Sequence, residues 1–184
     1  MVKFETDIEG ASERALALFL TKARRAVGLR GIVNVVVTTN RAMRGLNRRF
    51  RAKDKPTDVL SFPAFDPTLP AGRISPPLRV AGDIAISGQM ATANGRRLGH
   101  GTAGELKVLV LHGVLHLAGF DHENDRGSMA RKEQELRREL KLPDGLIERA
   151  ETPLIAKTIS RPAQKPRGTR SDNGKSKHSE RRNR

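Results

Sequence analysis

The sequence predicts a small α+β (α/β) domain: a mixed β-sheet packed with about five helices, followed by a basic tail. Three observations carry this. Runs rich in β-branched residues alternate with amphipathic segments that begin and end on helix signals. One segment, Leu106–Ala118, is apolar nearly all round and belongs at the centre of a core. Beyond Ile155 the composition turns polar and basic. At roughly 150 residues per domain, the 184 residues suit one domain with an appendage.

The elements follow in order. Ser12 can cap a helix running to Val27, with Ala15, Leu16, Phe19, Leu20, Ala23 and Val27 on one stripe and Gly28 as its stop. Ile32–Thr38 is almost continuously β-branched, as suits a strand covered on both faces. Thr39 or Asn40 opens a short, very basic helix to Phe50, and Val59–Phe62 reads as a short strand. Residues 63–79 hold five of the ten prolines and read as a surface loop. Val80–Ser87 is a further strand, in which Gly82 marks a bulge or a close backbone approach. Ser87 can cap a helix to Leu98. Thr102 and Glu105 have the spacing of a capping box ahead of the central helix, which Gly119 ends. A last amphipathic helix spans Asp125–Leu140, with Met129, Leu136 and Leu140 on its apolar face.

Composition excludes several classes. There is no cysteine, hence no disulfide, thiolate ligand or thiol nucleophile. No apolar run approaches the ~20 residues of a membrane span, and the acidic start Met1–Asp7 is unlike a secretory signal. A cytoplasmic protein is expected. The net charge is +15, and residues 156–184 hold 10 Lys/Arg against 2 Asp/Glu. With only Ile159 among large aliphatics, that stretch reads as a disordered basic tail beyond a domain of residues 1–155. Such charge points to a polyanionic partner, nucleic acid before membrane.

Two constellations carry chemistry. Four of the five histidines lie between His100 and His122. His112 and His116, four apart on the central helix, share a face one turn from each other; Gly119 can turn the chain so that His122 approaches them. A single histidine on an apolar helix is ordinarily a hydrogen-bonded core residue. Two on one turn of so apolar a helix, with a third beyond its end, instead fit three imidazole ligands of a catalytic zinc with one open position. Zinc so held acidifies water to a pKa of about 7 or polarises a phosphoryl oxygen. The spacing is that of the zincin pattern H-E-x-x-H, but Gly113 stands where the general-base Glu would be, which argues against peptide hydrolysis. The second constellation places seven Lys/Arg within residues 41–55 (Arg41, Arg44, Arg48, Arg49, Arg51, Lys53, Lys55) against one acid, Asp54. Most charge runs are solvated helix faces; at the edge of a strand this density suits a phosphate-tracking groove.

These segments resemble the YbeY family of metal-dependent endoribonucleases and rRNA maturation factors. His112-Gly113-Val114-Leu115-His116-Leu117-Ala118-Gly119-Phe120-Asp121-His122 is similar to that family's H-G-x-L-H-L-x-G-Y-D-H, with Phe120 in place of the usual Tyr. Lys55–Pro63 and Gly82-Asp83-Ile84 match two further blocks, and the likeness extends over residues 1–150 in order. The resemblance implies that His112, His116 and His122 bind one zinc per chain and that Arg51 is the functionally important arginine facing the metal cleft. It implies cleavage of single-stranded RNA, maturation of the small-subunit rRNA 3′ end and ribosome quality control, with rRNA precursor and the ribosome or its small subunit as partners. Arg44, Arg48, Arg49, Lys53 and Lys55 are then expected to hold flanking phosphates, and Asp121 or Asp83 to orient a ligand imidazole. With no Trp or Tyr and six Phe, few platforms exist for stacking bases, so electrostatic, salt-sensitive binding is expected. Two other readings are a non-catalytic ribosome- or RNA-binding assembly factor with a structural zinc, and a zinc hydrolase of another substrate.

Overall fold

In the computed structural model, residues 1–64, 80–121 and 126–143 are described. They all belong to the first of two units into which the chain divides, Met1–Thr152. The proline-rich segment 65–79, His122 and the basic tail 156–184 lie outside the described residues.

The elements run β1 (Val2–Phe4), α1 (Glu13–Val27), β2 (Ile32–Thr38), α2 (Asn40–Arg51), β3 (Val59–Pro63), β4 (Val80–Ser87), α3 (Gly88–Arg97), α4 (Gly101–Leu117) and α5 (Ser128–Glu139). The sheet order is β1-β2-β4-β3; β1, β2 and β4 are parallel and β3 pairs antiparallel to β4. This is the mixed sheet with five helices that the sequence predicts. Strand β1 is additional: three residues carry no periodicity, and they become a strand by pairing with Val35–Val37.

Alternation along the strands sorts the core into two layers. Val33, Val35, Val37, Ile84 and Ile86 face the large cluster formed with α1, α4 and α5. Ala85 and Leu60 face the other way, against Met43 of α2, with Val36, Leu46 and Phe62 packed around them. Helix α4 lies at the centre of the larger layer, and every residue from Leu106 to Leu115 except Lys107 is buried.

Helix ends follow local chemistry. Ser12, Thr39 and Ser87 accept hydrogen bonds from the backbone N–H of Ala15, Ala42 and Met90. Helix α4 departs from expectation: it begins at Gly101, His100 is its N-cap residue, and no side chain caps it. Glu105 is fully buried, with a carboxylate oxygen 2.7 Å from His100 Nε2, a pull into the core that the capping-box spacing did not reveal. At its other end Gly119 N–H bonds His116 C=O and Phe120 N–H bonds Leu115 C=O. With Gly119 at φ 92° this is a Schellman stop, and it delivers the chain after His116 back toward the histidine face.

Two glycines let α4 sit close to the sheet. Gly82 lies where the β2–β4 register shifts, and a Cβ there would stand 2.5 Å from Phe62 O and 2.6 Å from Leu117 Cδ2. Both a bulge and a close approach are therefore present. A Cβ on Gly113 would lie 2.8 Å and 3.0 Å from two carbons of buried Ile84 and 3.1 Å from Ser61 Oγ. Gly113→Ala gains about 1 kcal/mol of helix propensity against about 1–3 kcal/mol of overpacking. Because both Ile84 branches are in the way, a net loss of about 1–2 kcal/mol is expected, seen as a lower Tm in thermal unfolding. An unchanged or raised Tm contradicts this packing.

Candidate active site

His112 and His116 meet as their helical spacing requires. Their Nε2 atoms are 3.1 Å apart. The other ring nitrogen of His112, Nδ1, lies 3.0 Å from Glu133 Oε2, and both residues are buried. A carboxylate on Nδ1 takes that N–H and leaves the Nε2 lone pair aimed at its partner ring. At metal–nitrogen distances of about 2.0–2.1 Å, two imidazoles of a tetrahedral site stand roughly 3.3 Å apart. The pair therefore fits two ligand positions of a zinc-type site, braced from outside as such ligands usually are. Among the described residues no cluster of three or more metal-binding side chains is complete; the third expected ligand, His122, lies outside them.

Glu133, which the sequence did not single out, is the carboxylate beside the His112 ring, while Asp121 lines the pocket with His116. Asp83 is exposed on β4 and accepts a hydrogen bond from Asn34 Nδ2 at 2.9 Å. Glu133 comes from α5, where it follows Met129 by one turn and precedes Leu136, so a carboxylate sits on the helix's apolar stripe. That was the available signal. Arg137, one turn further on, is also buried, with Nε 3.9 Å from Glu133 Oε1.

His116 opens into a pocket of about 230 Å³ lined also by Arg51, Ser61, Pro63, Gly119, Phe120 and Asp121. Three elements converge there: the end of α2, strand β3 and the turn after α4. Arg51 is the last residue of α2, and Ala52 caps it at φ 55°, left-handed backbone that ends the helix at this arginine. Gly113, by contrast, faces the sheet. The position that carries a base in zincins is turned toward Ile84 and Ser61 here, so the missing Glu follows from the packing.

The basic segment is held from below. Buried Asn47 donates from Nδ2 to Lys55 O at 2.7 Å. Arg44 clasps Asp54 in a bidentate pair, Nε–Oδ1 2.8 Å and Nη2–Oδ2 2.7 Å. That hydrogen bond is the main cause holding the Asp54 carboxyl below, and the Arg44 guanidinium above, their ordinary values. What the pair contributes is present above the ordinary carboxylate range and fades as pH falls through the depressed value; lying at the solvent-exposed surface, it contributes little. Arg44 is thus engaged within the chain, whereas Arg48, Arg49, Arg51, Lys53 and Lys55 are all exposed.

A carboxylate-braced imidazole pair, His112 buried and His116 half-buried, opening on an arginine-lined pocket has the chemistry to hold a metal beside an anionic group. The family model described as Endoribonuclease YbeY matches residues 2–141. An Endoribonuclease YbeY of Koribacter versatilis (strain Ellin345) is 53% identical over 153 residues, 83% of this chain and 93% of that protein. Another, of Solibacter usitatus (strain Ellin6076), is 43% identical over 138 residues, 75% and 86% of the two chains. A solution structure from Thermotoga maritima aligns at TM-score 0.49 and 28% identity, over 76% of this chain and 89% of that one. The chain belongs to the YbeY endoribonuclease family.

Proposed function

We propose that the domain of residues 1–155 is a zinc-dependent endoribonuclease cutting single-stranded RNA, and that it matures the small-subunit rRNA 3′ end and takes part in ribosome quality control in the cytoplasm. Family membership supports the cleavage of RNA. The observation that supports the site is the 3.1 Å approach of His112 and His116 Nε2 at a pocket lined by Arg51. Among the described residues no helix is long and apolar enough to cross a membrane.

His112, His116 and His122 would hold one zinc, which supplies Lewis-acid chemistry to the phosphodiester. Glu133 fixes the His112 ring and its tautomer. Arg51 offers the two-pronged donor that matches a phosphate and stabilises charge as it develops there. Arg48, Arg49, Lys53 and Lys55 meet flanking phosphates, so affinity falls steeply with salt; Arg44 adds charge while its fork stays on Asp54. The ribosome, or its small subunit, presents the strand, and the basic residues 156–184 tether the domain to RNA.

The test is cleavage by the tag-free full chain of one RNA, spanning an rRNA 3′ end, offered single-stranded or annealed to its complement. Cleavage of the free strand alone, lost with a chelator and restored by zinc, is expected. The product ends then identify the nucleophile: a 2′,3′-cyclic phosphate for the ribose 2′-hydroxyl, a 3′-hydroxyl or 3′-phosphate for water. RNA bound but left intact in the presence of zinc overturns the catalytic reading.

A further inference from the structure

The exposed aromatic surface beside the pocket is unaccounted for by phosphate contacts. Phe50 is 54% exposed, the most exposed aromatic side chain among the described residues. Its ring lies 4.9 Å from that of Phe62, centroid to centroid, with the planes inclined at 64°. The Arg49 guanidinium sits 5.2 Å from the Phe50 centroid. Phe62 is anchored, since it packs on the cluster of Met43, Leu60 and Ala85, so Phe50 rests on a fixed support. Both phenylalanines are chain neighbours of pocket residues: Phe50 precedes Arg51, and Phe62 lies between Ser61 and Pro63.

A solvent-facing ring costs apolar exposure without adding to the core. Here it stands amid Arg48, Arg49, Arg51, Lys53 and Lys55, a stretch suited to a phosphate backbone. In a single strand, bases lie a few ångströms from their phosphates, so a strand whose phosphate reaches Arg51 brings a neighbouring base to the Phe50 ring. We propose that Phe50, supported by Phe62 and flanked by Arg49, is a base-stacking subsite that receives an unpaired nucleobase next to the phosphate held at Arg51. This rests on the single-stranded RNA reading above and deepens it. Selection for unpaired RNA then has a physical source within the domain, because a base inside a duplex has no free face to offer. Stacking accepts any base, so the subsite confers strand selectivity with little sequence preference.

The chain has no Trp and no Tyr, so Phe50→Trp installs a single indole at the subsite. The probes are a short 2′-O-methyl oligouridylate and an abasic oligomer of the same length and charge. With the full-length Phe50→Trp protein, the oligouridylate is expected to quench the indole and the abasic strand to leave it unchanged. Phe50→Ala should bind the oligouridylate roughly 5- to 100-fold more weakly and the abasic strand as the wild type does, while Phe50→Trp keeps wild-type affinity. Equal response to both strands, with salt-sensitive binding intact, overturns the stacking subsite and leaves the electrostatic groove standing. Failure of the wild type to bind either strand overturns the single-stranded RNA reading, and the subsite with it.

Discussion

Arg51→Ala is expected to leave the protein folded while lowering cleavage of single-stranded RNA by about 10²–10³-fold, the usual loss when one preorganised donor to a developing oxyanion is removed. The two halves of this expectation have separate causes. Arg51 is exposed at the end of α2 and belongs to neither core cluster, so its truncation should change stability by no more than about 0.5 kcal/mol. It nevertheless lines the pocket into which His116 opens, where its planar fork can follow charge on the phosphate. Arg51→Lys should recover little, because an ammonium is a point charge without the paired donors. Measuring kcat/KM on a single-stranded RNA beside thermal unfolding separates the effects. Wild-type turnover in Arg51→Ala, with Tm unchanged, removes this residue from the reaction.

Glu133 variants should separate metal affinity from fold. Glu133→Ala takes away the acceptor on His112 Nδ1, 3.0 Å away in a buried setting. Loss of such an outer partner typically weakens metal binding by about 10- to 100-fold, and leaving a buried donor without this acceptor costs about 1–3 kcal/mol. Glu133→Gln keeps an oxygen for the ring N–H but loses the charge that faces buried Arg137, so it should fall between the wild type and Glu133→Ala in both zinc affinity and Tm. Titration with a competing chelator measures the first, calorimetry the second. Equal zinc affinity in all three proteins contradicts the bracing role.

Much of this organisation is legible in the sequence because it is local. Ser12, Thr39 and Ser87 sit ahead of amphipathic runs and cap them; Gly28 follows one of these and Gly119 the apolar central helix, and each ends it. His112 and His116 share a face for reasons of helical pitch alone. What escapes the reading depends on partners distant in sequence. Val2–Phe4 is a strand only because β2 is there to pair with it. Thr102 and Glu105 have capping-box spacing, yet Glu105 is drawn inward to His100. Glu133 lies on the same stripe as Met129 and Leu136, and only the arrival of α4 beside that stripe shows why an acid belongs there. Gly113 reads as a missing base from the motif, whereas the packing shows that Ile84 leaves no room for a side chain there. The exposed Phe50 ring likewise passes unnoticed in a count of few aromatics, because its position beside Arg51, rather than its number, gives it meaning.

If the paired imidazoles hold a metal that RNA cleavage requires, metal content and activity must be lost together. Zinc per chain is counted in tag-free wild type and His116→Ala, and both are assayed on the same single-stranded rRNA 3′-end substrate. Close to one zinc is expected in the wild type, with zinc and cleavage lost together in His116→Ala. A wild type that cleaves RNA with no bound metal, or a His116→Ala protein that retains both, contradicts it.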